Sequence, residues 1–139
     1  MTTLAYCDGV IAYDSRATAD TQILSDNCDK RSTRDGVKFF FAGAIADRDK
    51  FINAYFGDDC DDDLSASAFV VDDGCLYRVG WADGKLFKEP CDMSEPVALG
   101  SGSDHAMTAM DCGLSAKEAV KMASKRDTQT GGKIRTFNL

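Results

Sequence analysis

Thr2 and Thr3 stand directly behind Met1 in the opening stretch MTTLAYCDG, and an apolar strand pattern starts immediately after them. Bacterial processing normally removes Met when a residue as small as threonine follows. Thr2 would then carry both a hydroxyl and a free α-amine. An α-amine titrates near roughly 7.7–8, so part of it is unprotonated at neutral pH and can take the hydroxyl proton, which a lysine near roughly 10.4 cannot do. One residue would supply nucleophile and base. The plainer alternative is that Thr2-Thr3 simply begins an edge strand.

Other chemistries are poorly supplied. His105 is the only histidine, so any Ser-His or Cys-His site has to use it; it reads instead as a surface or helix residue. The six cysteines, at 7, 28, 60, 75, 91 and 112, contain no C-x-x-C pair. That spacing excludes the usual zinc patterns, and without a secretory signal the thiols are expected to be free, several of them in core positions. Asp58, Asp59, Asp61, Asp62 and Asp63 surround Cys60 but lack the central Gly and terminal Glu of a calcium loop, so they read as a solvated acidic loop. Gly100-Ser101-Gly102-Ser103 invites an anion-cradle reading, which is weak without a P-loop lysine. No metal and no cofactor are expected.

The net charge of −7 repels phosphates, and the Lys and Arg residues are scattered, which argues against nucleic acid as a partner. No apolar run approaches a membrane span, and the first residues lack the pattern of a signal peptide; a soluble, cytoplasmic protein is expected. Its 139 residues read as one domain, 1–139.

The elements that would position Thr2 follow from periodicity. Leu4–Tyr6 and Val10–Tyr13 around Asp8-Gly9 form a hairpin, which would fix the chain's first residues in a sheet. A polar stretch from Asp14 to Asp29 holds only the short apolar insert Ile23-Leu24. Val37–Gly43 is a strand buried on at least one face. A helix of about three turns follows, with Ile45, Phe51, Ile52, Tyr55 and Phe56 at helical spacing and Gly57 at its end. Ala66–Val71 and Cys75–Val79 form a second hairpin around Asp72-Asp73-Gly74. Gly84–Phe87 and Val97–Leu99 are short strands on either side of a loop bracketed by Pro90 and Pro96. A helix capped by Ser103 stops at Gly113, and another starts at the capping box Ser115–Glu118 and buries Ala116, Ala119, Val120 and Ala123. Lys133–Leu139 is a final strand. This order suits two packed sheets with helices outside them.

Five stretches in this order resemble the proteasome β-subunit family, including its bacterial relative that works with an unfoldase ATPase. They are Asp14-Ser15-Arg16, Ser25–Lys30, Phe41-Ala42-Gly43, Gly100–Ser103 and Lys125–Gly132. Together they span nearly the whole chain. The resemblance implies an α+β fold, a four-layer αββα sandwich of the N-terminal nucleophile hydrolase type. It implies a threonine-type endopeptidase with Thr2 as nucleophile, Lys30 as the buried lysine that lowers the pKa of hydroxyl and amine, and Asp14 orienting that lysine. Gly43 corresponds to the oxyanion-binding N–H, Ser101, Asp127 and Thr130 to the polar group near the amine, and Arg16 to a support for the loop around Asp14. A homo-oligomeric ring, unfolded polypeptide substrates and an unfoldase ATPase partner are implied as well. The family normally has two helices between Gly43 and the second hairpin. Here one helix and the acidic loop stand there, so the first helical layer is reduced and ring size and ATPase stay open. A non-catalytic scaffold subunit, favoured if Met1 is retained, and a small-amide hydrolase with the same chemistry stay open too.

Overall fold

The computed structural model describes residues 2–139. Its recurrent local device is the Asp-Gly turn. Asp8-Gly9, Asp35-Gly36, Asp73-Gly74 and Asp83-Gly84 all have positive φ at both residues. Two successive left-handed residues match the twist of paired strands, and Asp and Gly tolerate them best. These turns join β1 (Leu4–Cys7) to β2 (Val10–Tyr13), β5 (Arg31–Arg34) to β6 (Val37–Gly43), β7 (Ala66–Asp72) to β8 (Cys75–Ala82), and β8 to β9 (Lys85–Pro90).

The architecture is α+β, with two main antiparallel sheets. One runs β10-β1-β2-β11, where β10 is Val97–Leu99 and β11 is Arg135–Asn138; the other runs β5-β6-β7-β8-β9. Leu4, Tyr6, Ile11 and Tyr13 from the first sheet and Phe40, Ala42, Phe69 and Val71 from the second form one buried cluster. The alternate residues of β6, Phe39 and Phe41, join Phe51 and Ile52 of α1 (Arg48–Tyr55) in a second. On the remaining face of the first sheet, Ala5 and Ala12 meet Ala106 and Met110 of α2 (Ser103–Asp111) and Ala119 and Val120 of α3 (Ala116–Ser124). The period-2 alternation of β1, β2 and β6 thus feeds two clusters each, which is why these short strands are apolar almost throughout. β1 is an interior strand, paired with β2 on one side and β10 on the other, and so it fixes the two residues that precede it, Thr2 and Thr3.

Several expectations need correction. The polar stretch after Asp14 contains a small hairpin, β3 (Ala17–Ala19) and β4 (Gln22–Ser25), and Arg31–Arg34 is a strand despite its polar sequence. Strand pairing here rests on the backbone ladder, so an edge strand needs no apolar alternation. The predicted three-turn helix is a 3₁₀ turn, Ile45–Asp47, followed by the eight-residue α1, and Ile45 is 52% exposed instead of buried. β9 runs on to Pro90, which an edge strand accepts because the missing N–H faces away from its neighbour. Ser103 is the first residue of α2 and makes no cap; Gly102 holds that position. The last strand is shorter than predicted, at Arg135–Asn138. No cysteine is fully buried: Cys7, Cys28, Cys60 and Cys91 are half-buried and Cys75 and Cys112 exposed, all free. Cys91, Cys60 and Cys7 pack against the edges of the three clusters, one each, without entering their buried interiors.

Candidate active site

Thr2 stands two residues before β1, is 1% exposed, and places its Oγ1 in hydrogen-bond contact with Lys30 Nζ. Lys30 lies just before β5, is 3% exposed, and makes an ion pair of 2.8 Å with Oδ1 of Asp14, which follows β2 and is fully buried. The topology explains the meeting. β1 and β2 bring residues 2 and 14 to one end of their hairpin, and β5, held against β6, brings Lys30 to the same place. The Phe41 N–H donates to the Lys30 carbonyl at 2.9 Å and extends that ladder to the site.

Asp14 is satisfied by four donors. The Thr3 N–H and Lys30 Nζ donate to Oδ1, and the Arg16 and Gly131 N–H groups donate to Oδ2 at 3.2 and 2.9 Å. A fully buried carboxylate needs such compensation. Burial lowers the Lys30 pKa from its ordinary value, against the opposing pull of Asp14. Lysine is the donor here, so Thr2 Oγ1 accepts from it and keeps its own proton free to leave.

A second network holds the Thr2 nitrogen. The Thr2 N–H donates to Ser101 Oγ at 3.1 Å, and Ser101 Oγ lies 2.6 Å from Asp127 Oδ2. Thr130 Oγ1 donates to the same oxygen at 2.6 Å. Since Thr130 has one proton and spends it there, Thr3 Oγ1 must be the donor in the 2.7 Å contact between the two threonines. Burial raises the Asp127 pKa, but hydrogen bonds from Ser101, Thr130 and the Gln129 N–H outweigh it and leave the net shift downward. Thr2 and Thr3 therefore serve opposite sides of the strand, the first toward Lys30 and the second toward Thr130.

Gly43, at the end of β6, lines a cleft of about 330 Å³ together with Thr2 and Lys30. Its φ of +105° and the Ser65 carbonyl where a Cβ would stand require glycine. Gly100 and Gly102 are tight for a similar reason: side chains there would enter Thr2 and the Thr3 hydroxyl, so the Gly100–Ser103 loop packs on the first residues of the chain and is no anion cradle. Arg16 carries its backbone N–H to Asp14 and its guanidinium to Asp26 and the Thr128 carbonyl, bracing the loops on both sides. His105 is exposed on α2.

All seven candidate residues thus fall in one region. Thr2, Lys30 and Asp14 form one network, Thr2 N, Ser101, Asp127 and Thr130 the other, and Gly43 shares the cleft. Met1, whose removal would free the Thr2 amine, lies outside the described residues. Sequence reasoning missed Thr3 and Gly131 as partners. Strand alternation already puts the Thr3 side chain on the face opposite Thr2, without saying what it meets there; the N–H of Gly131 leaves no sequence signal.

No protein-family profile matches the chain, and no curated protein does. Solved structures match it along its whole length. BPH of Thiobacillus denitrificans in complex with epoxomicin superposes with a TM-score of 0.74 at 15% identity, covering 99% of this chain and 97% of that one. HslV from Trypanosoma brucei gives 0.71 at 16% identity, with 99% of both chains covered. This chain has their fold. A second structure of the Thiobacillus BPH gives 0.70 at 17% identity over 99% and 96%. These neighbours are proteasome-type subunits, so the resemblance carried by the five sequence stretches reappears as a likeness of whole folds. Among the described residues, no helix is long and apolar enough to cross a membrane.

Proposed function

We propose that the chain is a threonine-type endopeptidase subunit of a self-compartmentalised, proteasome-like protease. The observation that carries this reading is the buried contact of Thr2 Oγ1 with Lys30, itself paired with Asp14, at the wall of a cleft that also contains Gly43. Removal of Met1 leaves the Thr2 nitrogen as an α-amine, still donating to Ser101 and with a lone pair free to take the Oγ1 proton. Thr2 Oγ1 attacks the substrate's carbonyl carbon. The ammonium of Lys30 stabilises the developing alkoxide, and the Gly43 N–H stabilises the tetrahedral oxyanion. The amine of the cleaved bond leaves with a proton from the Thr2 α-amine. Water, deprotonated by the same amine, then releases the acyl group from Oγ1.

The reading includes a four-layer αββα sandwich of the N-terminal nucleophile hydrolase type, with its first helical layer reduced to α1; the α+β architecture and the likeness to proteasome-type folds support it. A peptidase open to any polypeptide has to be enclosed, so the reading includes a homo-oligomeric cytoplasmic ring, unfolded polypeptide substrates and an unfoldase ATPase. Hydrolysis of small peptide amides tests the chemistry: Thr2→Ala is expected to abolish it while leaving the unfolding transition in place, and retained hydrolysis overturns the assignment. Native mass measurement tests the rest, with loss of Met1 and a multi-subunit mass expected.

A further inference from the structure

The chain as a whole is acidic, with 23 Asp and Glu against 16 Lys and Arg, yet the cleft at Thr2 is lined by Arg16, Lys30 and Arg48 and by no carboxylate. Two of these cations are already neutralised. Arg16 holds Asp26 at 2.9 Å, and Lys30 holds Asp14 at 2.8 Å. Arg48, in the first turn of α1, has no carboxylate partner among the described residues. Its Nη1 donates to a neutral acceptor, the Asp29 carbonyl at 3.1 Å, its guanidinium lies 5.5 Å from the centre of the Phe41 ring, and its buried Nε has no hydrogen-bond partner. Placed against an aromatic face and held by one backbone oxygen, the guanidinium is oriented but uncompensated. A planar fork of this kind matches a carboxylate better than any neutral group.

We propose that Arg48 is a specificity residue, so that the cleft takes an acidic side chain, aspartate or glutamate, on the acyl side of the bond to be cleaved. This rests on the peptidase reading above and adds its substrate class. The competing occupant is an apolar side chain, for which Leu24 and Ile45, both largely exposed at the cleft, offer contact. Charge decides between them: an apolar group in the cleft would cover Arg48 further and leave it unpaired, whereas a carboxylate would pair with it. The field of Arg48 also reaches the reacting groups, since after burial it is a further, smaller influence holding Lys30 down.

The test uses the full chain with Met1 removed and a set of fluorogenic peptide amides differing only in the residue before the cleaved bond: Glu, Gln, Leu and Arg. Glutamate is expected to exceed its neutral isostere glutamine by about tenfold or more in kcat/KM, the range of a charge-assisted hydrogen bond. Arg48→Gln brings the Glu/Gln ratio to near one, Arg48→Lys keeps part of it, and Arg48→Glu moves the preference to the Arg peptide. Cleavage that Thr2→Ala abolishes but that favours Leu, or a Glu/Gln ratio unmoved in Arg48→Gln, overturns the inference and leaves the peptidase reading standing. Cleavage of none of the four peptides overturns both. Thermal unfolding of the Arg48 variants accompanies the assay, and the ratio between two substrates of one variant is independent of how much of it is folded.

Discussion

Replacing Asp14 with asparagine preserves shape and removes one charge at a position with no solvent exposure. The carboxylate has two donors on each oxygen: Thr3 N–H and Lys30 Nζ on one, Arg16 N–H and Gly131 N–H on the other. An asparagine has one oxygen, so whichever way the amide turns, two donors face an NH₂ group. The Lys30 ammonium, 3% exposed, loses its counter-ion as well. Breaking a buried pair by removing one partner costs about 3–5 kcal/mol, a large share of the roughly 5–15 kcal/mol that holds a domain folded. In a domain of this size the melting temperature should fall by on the order of 10 °C. The assay is reversible urea or thermal unfolding of parent, Asp14→Asn, Lys30→Met and the double variant. The double variant is expected to recover part of the loss, because it also removes the buried ammonium that Asp14 balanced. A melting temperature within about 3 °C of the parent, or equal costs of Asp14→Asn with and without Lys30, would refute the reasoning.

Three further outcomes are expected. The depressed Lys30 pKa means that the unfolded chain binds more protons than the native one between that lowered value and the ordinary 10.5, so stability contributed by this group rises with pH across the window. The parent should gain stability relative to Lys30→Met as pH rises toward 10.5, and parallel pH curves would contradict this. Thr130→Val leaves the Thr3 hydroxyl without its acceptor and Asp127 without one donor. A loss of about 1–3 kcal/mol in urea unfolding is expected, and a neutral effect would show that the second network holds nothing. Gly43→Ala forces a Cβ into the Ser65 carbonyl at positive φ. It should cost about 1–3 kcal/mol or more and lower kcat for every peptide in the set, whereas parent-like kinetics would separate Gly43 from the reaction.

What the sequence disclosed, and what it hid, divides by mechanism. Hairpins with an Asp-Gly turn and apolar alternation were legible at β1–β2 and β7–β8, because local chemistry and burial point the same way. Asp35-Gly36 carries the same turn signal, but its first strand, Arg31–Arg34, is polar and offers no apolar alternation to mark the hairpin. Ile45 fits the helical period after Gly43, but the 3₁₀ turn there leaves it at the cleft, exposed. Thr2 stood out by its own chemistry, while Lys30 and Asp14 gained meaning only through the family resemblance. Nothing local distinguishes a buried Lys30 from a surface lysine; only the packing of β5 beside the first hairpin does. Arg48 was hidden for the same reason, as one more charged residue at the start of an amphipathic helix.

The central claim is that Thr2 Oγ1 carries the acyl group during turnover. The most direct measurement is mass spectrometry of the protein rapidly quenched with a slowly hydrolysed peptide ester, followed by digestion to locate the added mass. The acyl group is predicted on the N-terminal peptide that begins at Thr2, only in molecules that have lost Met1, and absent from Thr2→Ala. Acylation elsewhere in the chain, or equal acylation of molecules that retain Met1, would contradict it.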